Sequence, residues 1–262
     1  MRTPCLLFAV ALALMMPVRP AAQSQITTGA IEGIVADSSG AVLPGVTVEV
    51  RNVDTNFTRS VATDRDGRFV ALQLPPGRYT VKFTLPSFAT LVQENVNVSV
   101  GDSVRLNGAM KLSGLAETVT VTTQLSTVET TRTAAASTLN EKTIETTPIL
   151  GRKFEDLLTL TPGVSVVQGP DGDEITFAGQ RGVFNNISLD GGDYNNGFFG
   201  EQMGGQRAAI DITLEAVKEF QVVATGANAE YGRTAGGVVN VITKSGTNEV
   251  KGSLFHFQRL EG

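Results

Sequence analysis

Pro75-Pro76-Gly77-Arg78-Tyr79-Thr80-Val81-Lys82-Phe83-Thr84-Leu85 opens on a turn and then alternates. Proline fixes φ and glycine accepts positive φ, so Pro-Pro-Gly reverses the chain. Beyond it Tyr79, Val81, Phe83 and Leu85 take every second place, with Arg78, Lys82 and Thr84 between them. Side chains of a strand point alternately to its two faces, so this period of two predicts one face in a core and one in water. The same pattern continues on both sides. Val46, Val48 and Val50 alternate with Thr47 and Glu49. Val96, Val98 and Val100 alternate, as do Val104, Leu106, Met110 and Leu112, and all are predicted to face the core. Asp64-Arg65-Asp66-Gly67 supplies another tight turn. Residues 26–112 therefore predict about seven short strands, the number of a small β-sandwich.

The rest of the composition narrows the function. The 262-residue chain has room for two compact domains and carries a formal net charge of -5. A nucleic-acid partner calls for a basic face that neutralises phosphates, and none is expected. One cysteine, Cys5, and one histidine, His256, leave no set of ligands for a Cys/His zinc site and no central base for a Ser-His-Asp triad. We expect no catalytic residues, no metal and no cofactor. Asp171, Asp173 and Glu174 lack the spacing of a calcium loop and read as a solvated acidic turn.

Residues 1–24 read as an export signal. Arg2 is basic, Cys5 to Met16 is an unbroken apolar run, Pro17 ends it, and small residues follow. The run is shorter than the ~20 residues that span a bilayer as a helix. Cleavage after Ala22 or Ser24 would leave Gln23 or Gln25 first. N-terminal sequencing of the exported protein tests this, and retention of Met1 would contradict it.

Residues 113–136 are rich in Ser, Thr, Glu and Ala and read as a linker. Within it Glu117-Thr118-Val119-Thr120-Val121-Thr122 is competent to form a strand. Such a segment can add to the edge of a partner's sheet, or serve as a last sandwich strand or plain linker. Residues 137–248 mix short helices, strands and Gly/Asn loops. Phe154, Leu157 and Leu158 share one helix face, stopped by Pro162-Gly163. Asn186 to Asp190 predicts a strand running into Gly191-Gly192. Leu214 to Glu219 predicts a short helix, Phe220 to Val223 a strand, and Gly236 to Thr243 another.

Two resemblances follow. Gly33-Ile34-Val35-Ala36-Asp37, Leu43-Pro44-Gly45-Val46-Thr47-Val48, Thr63 to Phe69 and Leu74-Pro75-Pro76-Gly77-Arg78-Tyr79 resemble the carboxypeptidase-regulatory-like domain, a transthyretin-like β-sandwich without catalytic function. Arg152 to Val164, Phe177-Ala178-Gly179-Gln180-Arg181-Gly182, Ser188-Leu189-Asp190-Gly191, Ala229-Glu230-Tyr231-Gly232 and Gly236 to Lys244 resemble, in order, the motifs of the α+β plug domain of TonB-dependent receptors. The first is similar to the plug's first helix, the second to its Arg-Gly strand. Together the two domains resemble the front of Oar-like and SusC-like receptors. Lys251 to Gln258, within residues 249–262, resembles entry into the first barrel strand. The family's barrel has about twenty-two strands of ~9–11 residues each, so the expectation is a mainly β chain holding the receptor's sandwich and plug without its barrel.

The resemblance implies roles for particular residues. Glu117, Thr118, Val119, Thr120 and Val121 would be the TonB box, pulled by a TonB-type energy coupler. Arg181 and Glu230 would make charged contacts between plug and barrel, where an isolated ion is costly and calls for a partner. Tyr194, Asn195, Asn196, Phe198 and Phe199, in a Gly-rich loop after Asp190, would face a ligand. Aromatic faces and amides suit an oligosaccharide or peptide. The expected partners are the coupler, a cognate β-barrel and such a small ligand, with no nucleic acid. The intact receptor would lie in the outer membrane, and this portion alone would be exported to the periplasm. A reading of another class is a free-standing periplasmic or surface module that binds carbohydrate or protein. Without a barrel wall the Gly-rich plug is expected to order more loosely than the sandwich.

Overall fold

The computed structural model describes residues 27–113, 119–122, 135–149, 154–169, 172–180, 182–195, 212–227, 231–232, 234–250 and 252. Residues 1–24, read above as an export signal, and the segment 253–262 lie outside them.

Two sheets make the sandwich. β1 (Gly29–Asp37) lies between β4 (Arg68–Leu74), antiparallel to it, and the short parallel strands β7 (Ser103–Arg105) and β8 (Gly108–Met110). The facing sheet has the order β3-β2-β5-β6-β9, built from β2 (Thr47–Asn52), β3 (Thr58–Ala62), β5 (Gly77–Thr84), β6 (Leu91–Val98) and β9 (Val119–Thr122). The alternation read from the sequence is observed. Val46, Val48, Val50, Tyr79, Val81, Phe83 and Val96 are all fully buried. Burying a side chain of this kind stabilises by ~1.5–3 kcal/mol relative to leaving it exposed. Phe69 and Phe83 meet edge to face at 5.7 Å between the two layers. In the Asp64–Gly67 turn the Asp64 carboxylate accepts from the amides of Asp66 and Arg68 at 2.9 and 2.8 Å, and Gly67 takes φ +68°.

Two expectations change here. Leu112 is 74% exposed, because β8 ends at Met110 and Leu112 only bridges Phe88 at the sheet margin. Val100 is buried but stands outside the sandwich core, for a reason given below.

The second unit is organised by a sheet of order β10-β15-β16-β13-β14. Its strands are β10 (Ala135–Asn140), β13 (Asn186–Leu189), β14 (Gly192–Asp193), β15 (Val217–Thr225) and β16 (Val238–Thr243). Two short helices, α1 (Glu141–Thr146) and α2 (Phe154–Leu158), and the hairpin of β11 (Val164–Gly169) with β12 (Gly172–Phe177) accompany it. Asn140 caps α1 by accepting from the Thr143 amide. Phe154, Leu157 and Leu158 are buried, and Gly163 at φ +83° turns the chain after the helix. Phe220, Val222, Val239 and Val241 complete this core.

The local readings fail where tertiary pairing takes over. Leu214–Glu219 is not a helix: a single 3-10 turn covers Leu214–Ala216 and β15 already begins at Val217. Pairing Val217 with Thr243 and Glu219 with Ile242 satisfies the backbone that a second helical turn would have satisfied. Of the segment expected as the Arg-Gly strand, Phe177 ends β12 and Gly182 opens a 3-10 turn over Gly182–Phe184, while Arg181 lies outside the described residues. Asp173 and Glu174 belong to β12 rather than to an acidic loop.

Candidate functional site

The candidate coupling segment falls partly within the described residues. Glu117 and Thr118 lie outside them, whereas Val119, Thr120 and Val121 form β9 with Thr122. A run of β-branched residues favours the extended chain. β9 pairs in parallel with β6, matching Leu91 to Val119, Val92 to Thr120, Gln93 to Val121 and Glu94 to Thr122. It is the rim strand of the five-stranded sheet, so among the described residues no strand lies beyond it. In an extended strand the N–H and C=O groups point to both sides, so the groups not turned to β6 face outward along this rim.

Arg181 and Glu230 lie outside the described residues, but the backbone flanking them converges. The carbonyl of Phe184 accepts from the amides of Ala235 and Gly236, and from Thr234 Oγ1 at 2.9 Å. Asn186 Nδ2 donates to the Gly232 carbonyl at 2.8 Å. Asn185 Nδ2 donates to the Ile175 carbonyl at 2.6 Å, and its Oδ1 accepts from the Gly237 amide. Two asparagines thus tie the turn after residue 181 to the segment after residue 230.

In the candidate ligand loop, Tyr194 is half-buried against the core of the second unit and its amide donates to the Ile187 carbonyl. Asn195 Oδ1 accepts from the Ile187 amide at 3.1 Å, while its Nδ2 donates to Asp193 Oδ1 and Asn186 Oδ1. These two residues anchor the loop inward. Asn196, Phe198 and Phe199 lie outside the described residues. Asp190, just before the loop, has φ +49°, and its carboxylate accepts from the Thr243 amide at 2.9 Å and Thr243 Oγ1 at 2.7 Å. The Asp-Gly motif therefore fastens the end of β13 to the end of β16. Lys244 continues the fastening with ion pairs to Glu141 at 2.7 Å and Glu145 at 3.5 Å.

One polar group went unnoticed in the sequence. Glu219 is only 5% exposed, on the face of β15 turned away from the core of the second unit, and its Oε1 accepts from the Val100 amide at 2.5 Å. Burial pushes its carboxyl up to about 7. The Val100 amide, Lys218 and Ser99 favour the charged form and Asp102 opposes it. Placing Leu214–Glu219 in a helix hid it; the signal available was a carboxylate two places before Gln221 in a run that also reads as a strand. Among the described residues no group of three or more His, Cys, Asp or Glu is placed to hold a metal.

Two family models match the chain. Residues 30–111 match the carboxypeptidase regulatory-like domain, and residues 129–239 match the TonB-dependent receptor plug domain. The TonB-dependent transporter Oar of Myxococcus xanthus is 27% identical over 235 residues, covering 86% of this chain and 21% of that protein. The chain thus spans about a fifth of that relative. Among solved structures, the outer membrane transporter YddB of Escherichia coli aligns at 18% identity over 42% of this chain and 17% of its own, with a TM-score of 0.37. The Bacillus anthracis TIE protein aligns at 23% identity over 33% of this chain and 17% of its own, with a TM-score of 0.28. The plug match and the Oar relative belong to transport rather than to catalysis.

Proposed function

We propose, from the premise that this chain joins a carboxypeptidase regulatory-like domain to a TonB-dependent receptor plug domain, that it is the energy-coupled gate of an outer-membrane receptor. The plug seats in a β-barrel. A TonB-type coupler takes hold of Glu117 to Val121 by strand addition, and pulling rearranges the plug to admit a small ligand, an oligosaccharide or a peptide. Arg181 and Glu230 contact the barrel from the two segments tied together by Asn185 and Asn186. Asn196, Phe198 and Phe199 meet the ligand, on a loop whose stem is anchored by Tyr194 and Asn195.

The observation that supports this most is the extended conformation of Val119–Thr122 at the rim of the sandwich sheet, ahead of the plug in the chain. A strand held at a sheet margin offers backbone groups in the form that strand addition uses. Proline has no N–H and a fixed φ, so it removes a donor and bends the strand. In a receptor that includes the barrel, Val119→Pro is expected to lower energised uptake at least ~10-fold, since one lost strand bond and its strain exceed 1.4 kcal/mol. Ligand binding to cells should stay at its original level. Uptake at the unaltered rate would refute the assignment.

A further inference from the structure

At the centre of the contact between sandwich and plug lies the backbone of Val100. The Val100 amide donates to Glu219 Oε1 at 2.5 Å, and the Val100 carbonyl accepts from Gln221 Nε2 at 3.1 Å. Glu219 and Gln221 are two places apart on β15, so both side chains rise from the same face. Both are at least 95% buried, and Val100 is fully buried between the two units. Gln221 is held in turn, its Oε1 accepting from the Tyr231 hydroxyl at 3.1 Å. Gly101 has φ +69°, and a Cβ there would stand 2.8 Å from Gln221 Nε2, so the approach requires glycine. Beside this contact Lys218 Nζ donates to the Pro76 carbonyl, and the Asn248 amide donates to the Asp54 carbonyl at 3.0 Å.

We propose that Glu219 and Gln221 form an interdomain clasp on Val100, closed while the Glu219 carboxyl is neutral and loosened when it ionises. A side-chain carboxyl and an amide read the N–H and C=O of a single residue, as a neighbouring strand would. The carboxyl has to leave water to do so. Of the charged groups that face it, Lys218 favours ionisation and Asp102, on the sandwich, opposes it; the Ser99 hydroxyl and Val100 amide favour it. Desolvation outweighs them, which is why the carboxyl sits near 7 when the clasp is closed. With the clasp open, Glu219 regains water and titrates as an ordinary carboxylate.

The sign follows from linkage. The closed form holds a proton that the open form has released, between the ordinary carboxylate range and about 7. Closure therefore strengthens as pH falls through that window and weakens as pH rises. Each unit of difference is a factor of ten, so the docking constant should fall roughly tenfold or more between about pH 5.5 and 8.

The test uses the full chain with Cys5→Ser and a fluorophore pair on Asp66→Cys and Lys142→Cys, one exposed position on each unit. Energy transfer should drop as pH rises through about 7. Glu219→Gln, which keeps an acceptor without a charge, should keep transfer high and independent of pH. Asp102→Asn, altered on the other unit, should move the transition to lower pH. Transfer that does not change with pH in the parent chain would overturn the proposal. So would a transition that persists unshifted in Asp102→Asn, which remains decisive if Glu219→Gln fails to fold.

Discussion

Gly33→Ala is expected to cost the sandwich at least ~3 kcal/mol and to lower its melting temperature by ~12 °C or more. A Cβ at residue 33 would stand 1.8 Å from the Leu106 carbonyl oxygen and 3.1 Å from a Phe69 ring carbon. The first neighbour is backbone, fixed by the bond from the Leu106 amide to the Glu32 carbonyl at 2.7 Å. It cannot turn aside as a side chain would. The chain between β7 and β8 therefore runs directly over β1, and only glycine admits it. Thermal unfolding followed by circular dichroism measures the effect. Gly246→Ala, with no atom within 4 Å of the added carbon, serves as the control and should change stability by no more than ~0.5 kcal/mol. Equal melting of the two variants would mean that the crossing over β1 is wrong.

Phe220→Ala should cost the plug ~3–5 kcal/mol, the range for emptying a fully buried phenylalanine site. Phe220 lies on the core face of β15, opposite the face that carries Glu219 and Gln221. Among the described residues the sandwich core shares none with the plug core. Hydrogen exchange read by peptide should thus show lost protection across residues 154–243 and retained protection across residues 29–98. Val100 is the exception within the sandwich, because its amide is held from the plug. The parent chain, in the same measurement, tests whether the Gly-rich plug orders more loosely than the sandwich. Protection lost equally over both units would show that they unfold as one.

The sandwich was legible because each strand buries one face. Val46, Val48 and Val50, or Tyr79, Val81 and Phe83, carry the period of two in the residues themselves. β15 is buried on both faces, so its alternation is not one of apolar and polar, and Leu214 to Glu219 looked helical. Glu219 was consequently invisible as a contact: its partner lies 119 residues away and is a backbone amide, which leaves no trace in residue types. Asp190 illustrates the middle case. The Asp-Gly pair could be seen as a turn, but its bond to Thr243 depends on β13 and β16 lying side by side. Val119–Thr122 was readable as a strand and not as to which sheet would receive it, since strand competence does not choose a partner.

The parallel placement of β1 against β7 and β8 sets a schedule for folding. β1 is the first strand of the sandwich in the chain, yet its last partner ends at Met110, so the unit cannot close until nearly the whole of it has emerged. Pairings this distant in sequence form slowly, because the loop must close before any contact rewards it. β10 waits longer still, for β15 at Thr225. At ordinary rates of synthesis, on the order of ten seconds separate the two events. In chain order every strand of the sandwich, β9 included, precedes β15, so the residues that hold Val100 from the plug are the last to join it.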